Sequence, residues 1–362
     1  MYPRIKVYLP KLKDNLEQIA TTVKSMDNST AAIVTKCVCA DPEVVKIIAD
    51  SPKVDYIADS RIQNVASFAD LAHEKGKKTL LLRIPMESEL AEVVRYVDLC
   101  QISEIETIRL LNEQSKAAQK VQDILLMIDM GDLREGLFYQ NRDQIHETIA
   151  EILSMENINL HGISVNLTCY GAIIPTPDNL GQLVEVAREI EARHGIKLEM
   201  VSGGNSSSIY LCYEGRMPQG INNLRIGEGF VLGTDTASGE RLPGTSNETF
   251  LLEAQIVELQ EKPSIPIGEI GVDAFGNKPE FTDRGIRKRA IIAVGKQDVD
   301  PDDITPLDDR IEILGGSSDH IILDLTDCAD DYKLGSTVEF RLKYGALLRL
   351  MTSPYVEREY IR

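Results

Sequence analysis

Short apolar runs recur along the first two-thirds of this chain, each followed by a longer stretch of helical period, and no other feature restricts the fold as much. Runs of that length with turn signals at both ends are buried strands, and the helices between them force neighbouring strands to lie parallel. Strands are expected at residues 31–35, 56–58, 78–83, 99–102, 124–129, 160–167, 198–201 and 223–226. Amphipathic helices are expected between them at 42–49, 62–75, 88–96, 104–119, 142–154 and 179–193, with a shorter one at 207–214. Eight strands alternating with helices make an α/β chain with a (β/α)8 barrel of TIM type. After about residue 235 Gly and Pro punctuation increases, and 250–259, 288–294, 320–325 and 337–342 read as strands with little helix between them. A mostly β C-terminal domain follows the barrel. The division is 1–234 and 235–362, with the first residues able to join the β domain and the polar stretch 234–248 as the linker.

The chain has 362 residues, 43% of them hydrophobic, which is enough for a sizeable core. Its formal net charge is −18 and its basic residues form no stripe, so nucleic acid is an unsuitable partner. The start, Met1-Tyr2-Pro3-Arg4-Ile5-Lys6-Val7, has no apolar signal core, and no run of eighteen apolar residues occurs. Secretion and membrane spanning are therefore disfavoured. The six cysteines, Cys37, Cys39, Cys100, Cys169, Cys212 and Cys328, read as reduced thiols in a cytoplasm. Cys37 and Cys39 form a C-x-C pair with no nearby histidine or second pair, a poor zinc pattern.

In such a barrel chemistry gathers at the C-terminal strand ends. The first strand is closed by Lys36, and an ammonium there must be paired, desolvated or covalently engaged. A lysine held partly dry at a strand mouth can attack an aldehyde such as that of pyridoxal phosphate. The plain alternative is a lysine that caps the strand and reaches water. The run Ser202-Gly203-Gly204-Asn205-Ser206-Ser207-Ser208 offers amides and hydroxyls that can converge on one anion, or is a flexible Gly/Ser loop. Gly227 marks a second place where backbone can come close to a ligand.

Taken together, V-T-K after the first strand, D-x-G-x-x-R at Asp129 to Arg134, G-G-N-S-S-S at Gly203 to Ser208, and L-R-I-G at Leu224 to Gly227 resemble the alanine racemase superfamily. Within it the likeness is greatest to the ornithine racemase group, through residues 166–177, 263–275 and 283–300, and it spans almost the whole chain. The resemblance implies a pyridoxal 5'-phosphate barrel followed by a β domain, working as a head-to-tail homodimer in which each active site is completed by the partner's β domain. Lys36 resembles the Schiff-base lysine, which is also one of two proton-transfer bases. Arg225 resembles the arginine facing the pyridine nitrogen, and because a guanidinium does not readily yield a proton it leaves that nitrogen unprotonated. Arg134 matches the arginine near the phenolic oxygen and the substrate carboxylate, with a salt bridge to Asp132 or Glu135 as its alternative. Ser206, Gly227 and the backbone N–H of Glu228 match phosphate-binding positions, Asn205 belongs to the same loop, and Asn166 stands where alanine racemases carry a histidine against the ring.

Departures from the pattern matter as well. Ala40 replaces a phosphate-holding tyrosine, with Tyr355 as the candidate donor in its stead, and Met127 replaces a carbamylated lysine. No tyrosine occupies the second-base position, which falls at Lys296. Racemisation needs a proton donor on each face of the carbanion, and Lys296, His320 and Asp319 are the candidates. Ser318 and Asp319 are candidates for contact with substrate, and Asp298 and Asp300 for pairing a cationic substrate tail. The expected activity is interconversion of L- and D-ornithine. Racemisation of lysine, alanine or a broader set, a related decarboxylase or aldolase, and a non-catalytic cofactor carrier are the rivals, the last opposed by the β domain.

Overall fold

The computed structural model describes residues 1–362, the side chains of residues 329 and 330 excepted. The chain forms two compact units, Leu9–Asn247 and a second made of Met1–Tyr8 with Glu248–Arg362.

In the first unit the strands are β2 (Thr30–Val34), β3 (Tyr56–Asp59), β4 (Lys78–Leu81), β5 (Leu99–Ile102), β6 (Gln122–Asp129), the two-residue β7 (Leu137–Phe138), β8 (Ile158–Ser164), β9 (Met200–Ser202) and β10 (Asn223–Ile226); β1 (Arg4–Tyr8) belongs to the second. All but β7 close a parallel barrel in the order β5-β4-β3-β2-β10-β9-β8-β6, the β5–β6 pair completing the ring. The expected barrel is therefore present. Every residue of β3, β5 and β10 is buried, as both faces of a parallel strand must be when helices cover the outside. Ala32, Val34, Tyr56, Ala58, Leu80, Leu99, Leu125 and Met200 form one buried cluster inside the barrel. One inward position nearer the C-terminal strand ends, the lining turns polar: Gln101, Ser164, Ser202 and Arg225 are all buried.

Two local features add to this arrangement. A helix over Leu9–Val23, burying Leu12, Leu16, Ile19, Ala20 and Val23, precedes the first barrel strand and was not expected. The polar stretch read as a linker is fastened to that helix: the buried Asn15 donates from Nδ2 to the carbonyls of Phe230 (3.0 Å) and Ser246 (2.9 Å), and its Oδ1 accepts from Ser246 N–H (2.7 Å). A side chain that satisfies three backbone groups replaces the ladder hydrogen bonds that an irregular loop lacks.

The second unit is an eight-stranded sheet. Besides β1 it contains β11 (Phe250–Pro263), β12 (Ile286–Ile292), β13 (Ile304–Pro306), β14 (Glu312–Gly316), β15 (Ile321–Asp324), β16 (Thr337–Leu342) and β17 (Glu357–Ile361). Its main path is β13-β16-β11-β12-β15-β14, with β1 antiparallel to β11 and parallel to β17. Phe250, Leu252, Ile292, Leu323, Phe340 and Leu347 are fully buried in its core. β11 begins buried and ends exposed, and with β12 it runs on to the arm at residues 264–285.

Candidate active site

At the barrel mouth the most constrained group is Arg225, 3% exposed on β10. Its Nη1 donates to Ser202 Oγ (2.5 Å) and Ser164 Oγ (2.8 Å), and its Nη2 to the Val165 carbonyl (2.7 Å). With the Gln101 amide turned so that its nitrogen meets the Leu82 carbonyl, its oxygen accepts from Arg225 Nε at 3.2 Å and from Ser164 Oγ at 2.7 Å. Ser202 passes its own proton to Asn223 Oδ1 (2.5 Å), whose Nδ2 donates to Thr30. Each hydroxyl that accepts from the guanidinium must donate onward, so every hydrogen bond in the chain has a fixed direction. These acceptors are neutral. Among the described residues no carboxylate makes a salt bridge with Arg225, and burial draws it down to about 10. Among the described residues four of its five N–H groups are matched, and one on Nη2 is left over.

Lys36 opens a 3-10 turn, Lys36–Val38, just beyond β2, and is exposed. The preceding Thr35 fixes the start of that turn: its Oγ1 donates to the buried Asp59 carboxylate (2.6 Å), which also accepts from Arg61 N–H (2.9 Å) and Asn64 Nδ2 (3.1 Å). Burial pushes Asp59 up, against those three donors. The chain then passes through two left-handed residues, Cys39 and Ala40, each at φ 51°, before Asp41 caps the next helix. Two successive non-glycine residues there store strain of about 1–3 kcal/mol each. The Cys37 thiol, pushed up to about 12 by burial, is an inert core group.

The Gly/Ser run folds into a compact cup. Gly204 has φ 110°, and a Cβ on it would lie 2.7 Å from Ser208 Oγ, so only glycine fits. Asn205 Oδ1 accepts from Ser207 N–H (2.8 Å), while its Nδ2 donates to Asn166 Oδ1 (3.1 Å) and the Leu167 carbonyl (2.9 Å). Ser206 Oγ accepts from the amides of Gly227 (3.2 Å) and Gly229 (3.1 Å), which ties the cup to the turn after β10. The cup ends in a 3-10 turn, Ser206–Ser208, and the short helix Tyr210–Tyr213 follows in place of one longer helix. Glu228 is pushed up to about 7, first by burial and then by Asp235, with the nearby Lys36 opposing. Two polar atoms at this rim, Ser207 Oγ and Asn166 Nδ2, are buried with no hydrogen-bond partner among the described residues.

Arg134 is exposed and makes a two-pronged ion pair with Glu135, the alternative expected of it. That pair holds its guanidinium above its ordinary range. Asp132, 1% exposed, is not its partner. It accepts instead from the amides of Thr168 (3.1 Å), Tyr170 (3.0 Å) and Ile173 (3.3 Å) and so anchors the loop beside Asn166.

The remaining candidates lie in the second unit. Lys296 N–H donates to the Ser317 carbonyl (2.8 Å) and Gln297 N–H to the Ser318 carbonyl (3.0 Å). A Cβ on Gly295 would come within 2.5 Å of the Asp319 and His320 amides, so the two turns touch. Lys296, Ser318, Asp319 and His320 are thus neighbours, the last three exposed. Lys296 Nζ lies over the Phe275 ring, 4.4 Å from its centroid. Tyr355, 64% exposed, and Asp319 line a cleft of about 440 Å³ with Gln297 and Asp298. Asp298 is buried and bound to Ser353 Oγ (2.6 Å), whereas Asp300 accepts from Arg349 at 3.5 Å.

Gln101, Ser164, Asn223, Asp59 and Phe275 were missed by sequence reasoning, and Ser202 was read only as part of the cup. The available signal was polar residues at inward positions of otherwise apolar strands. Among the described residues no group of three or more His, Cys, Asp or Glu could hold a metal ion, and no helix is long and apolar enough to cross a membrane.

Comparison with known proteins gives a consistent answer. A family model described as alanine racemase, N-terminal domain, matches residues 7–234. An ornithine racemase of Acetoanaerobium sticklandii is 50% identical over 364 residues, 100% of each chain. A lysine racemase of Thermotoga maritima is 39% identical, covering 99% of each. A solved structure of alanine racemase from Bartonella henselae with covalently bound pyridoxal phosphate has TM-score 0.72 at 17% identity and covers 99% of each chain.

Proposed function

Since this chain belongs to the alanine racemase family, we propose that it is a pyridoxal phosphate-dependent racemase that interconverts L- and D-ornithine. The observation that carries the substrate is 50% identity to an ornithine racemase along the entire length of both chains. Lysine is the second substrate to test, given the lysine racemase at 39%.

The residues at the barrel mouth fit the cofactor. Among the described residues one N–H on the buried Arg225 guanidinium is unmatched, which suits an acceptor such as a pyridine nitrogen. Ser207 Oγ and Asn166 Nδ2 are buried without partners beside a cup that only glycine can form at Gly204. When bound, pyridoxal phosphate draws electron density from the substrate Cα–H bond and makes that hydrogen acidic. In this reading Lys36 supplies the amine that holds the cofactor and takes or returns a proton at Nζ. Arg225 keeps its positive charge toward the ring nitrogen. Ser206 Oγ–H and the Glu228 amide hold the phosphate, and the Gly227 amide joins them by exchanging its Ser206 contact. A protonated Glu228 removes one negative charge from the neighbourhood of that dianion. Arg134 meets the substrate carboxylate by exchanging its Glu135 contact.

Lys296 is the proposed second base, with His320 the other candidate. The family pattern favours Lys296, since the position of the second base falls on it. The working unit is a homodimer in which the β unit of one copy serves the barrel mouth of the other, located in the cytoplasm. Light scattering on the eluted protein tests the dimer, which a monomeric mass contradicts. Chiral chromatography after incubation with L-ornithine, L-lysine and L-alanine tests the substrate. D-ornithine formed fastest supports the assignment; D-lysine or D-alanine formed faster replaces it.

A further inference from the structure

The arm at residues 264–285 holds a motif that the activity above does not use. Its tip is a tight turn built on Asp273, whose Oδ1 accepts from the amides of Phe275 (2.9 Å) and Asn277 (2.8 Å) while its own N–H donates to the Asn277 carbonyl (2.8 Å). Those amides, with the Asn277 side chain and Lys296 adding to them, hold Asp273 below the usual carboxylate range. The turn is therefore ordered by its own hydrogen bonds, and it presents Phe275 to Lys296 at 4.4 Å. From the other side the 295–298 turn is pinned to Ser317 and Ser318 by two backbone hydrogen bonds. Backbone holds Lys296 at its root, and an aromatic face holds it at its tip.

The chemistry of that contact is one-sided. A ring face attracts an ammonium through its quadrupole, and that attraction is lost when the nitrogen is neutral. Unlike a carboxylate, the ring accepts no proton and leaves the amine available afterwards. We infer that Phe275, set by the Asp273 turn, is a positioning residue that parks the proton-loaded Lys296 for delivery to one face of the substrate Cα. The inference rests on Lys296 being the second base.

The test uses the holoenzyme with L- and D-ornithine in heavy water. It reads inversion by chiral chromatography and loss of the α-proton by NMR, for the wild type, Phe275→Leu, Phe275→Tyr and Lys296→Ala. Phe275 is 47% exposed, so Leu at this site leaves the fold intact, as unchanged melting will show. Phe275→Leu is expected to slow inversion by about two- to fivefold. Exchange of the enantiomer served by Lys36 is retained, so exchange outpaces inversion, and Phe275→Tyr, which keeps the ring, behaves as the wild type. If Phe275→Leu leaves the ratio of exchange to inversion unchanged while Lys296→Ala raises it, the positioning role is overturned and Lys296 stands. If Lys296→Ala inverts ornithine at the wild-type rate, the second-base reading fails, and the role of Phe275 fails with it.

Discussion

Replacing Ser202 by Ala removes one oxygen and strands two partners. Arg225 Nη1 loses an acceptor at 2.5 Å, and Asn223 Oδ1 loses a donor at 2.5 Å. Ser202 is 0% exposed, so bulk water cannot take its place. A hydrogen bond to a charged group is worth about 1.5–3 kcal/mol and one between neutral groups about 1 kcal/mol, which sums to a loss of about 3 kcal/mol. For a unit of this size that lowers the melting temperature by about 6–12 °C. Ser115→Ala is the matched control, because Ser115 is also 0% exposed but its Oγ has no partner among the described residues. The same atom is deleted with no hydrogen bond lost, and melting should move by less than about 2 °C. Calorimetry on cofactor-free protein separates the two cases. Equal shifts for both variants would refute the assigned network and the claim that neutral acceptors hold Arg225.

Three further outcomes follow from the site. Glu228 is pushed from an ordinary 4.5 up to about 7, so the folded chain binds more protons than the unfolded one between those values, and stability falls as pH rises through that window. Glu228→Gln removes the penalty: urea unfolding should show a gain of up to about 3 kcal/mol at pH 8 that disappears below pH 4.5. Thr35→Val takes a donor from the buried Asp59, which should cost about 1–3 kcal/mol in urea unfolding at neutral pH, while a variant as stable as the wild type would show that Thr35 does not anchor the Lys36 turn. Lys36→Ala should abolish the absorbance of covalently held cofactor and all turnover, and retained turnover would remove Lys36 from its role.

The barrel was legible because burial of parallel strands leaves a strong signature: β3, β5 and β10 are buried at every position and stand out against charged helices. The Leu9–Val23 helix carried the helical signal, since Leu12, Leu16, Ile19, Ala20 and Val23 recur at helical spacing between Lys11, Lys13, Asp14 and Glu17, and it was missed because the alternation of strands and helices was counted from the apolar run at 31–35. β1 did carry a signal in Arg4-Ile5-Lys6-Val7, whose period of two matches its alternating burial. At the site, strand ends and glycine content exposed Lys36 and the cup. The Arg225 support could not be found that way. Its members sit 61 residues apart (Arg225 to Ser164) and 63 apart (Gln101 to Ser164), and only closure of the barrel makes them neighbours. Nor does a local pattern tie Phe275 to Lys296, since that contact depends on how the arm folds back.

The central claim is inversion at Cα, and proton NMR of the purified protein with pyridoxal phosphate and L-ornithine in heavy water, followed by chiral chromatography of the product, tests it directly. Loss of the α-proton signal together with accumulation of D-ornithine toward an equal mixture is the predicted result. An α-proton signal that persists, or that disappears while the product stays entirely L, would contradict it.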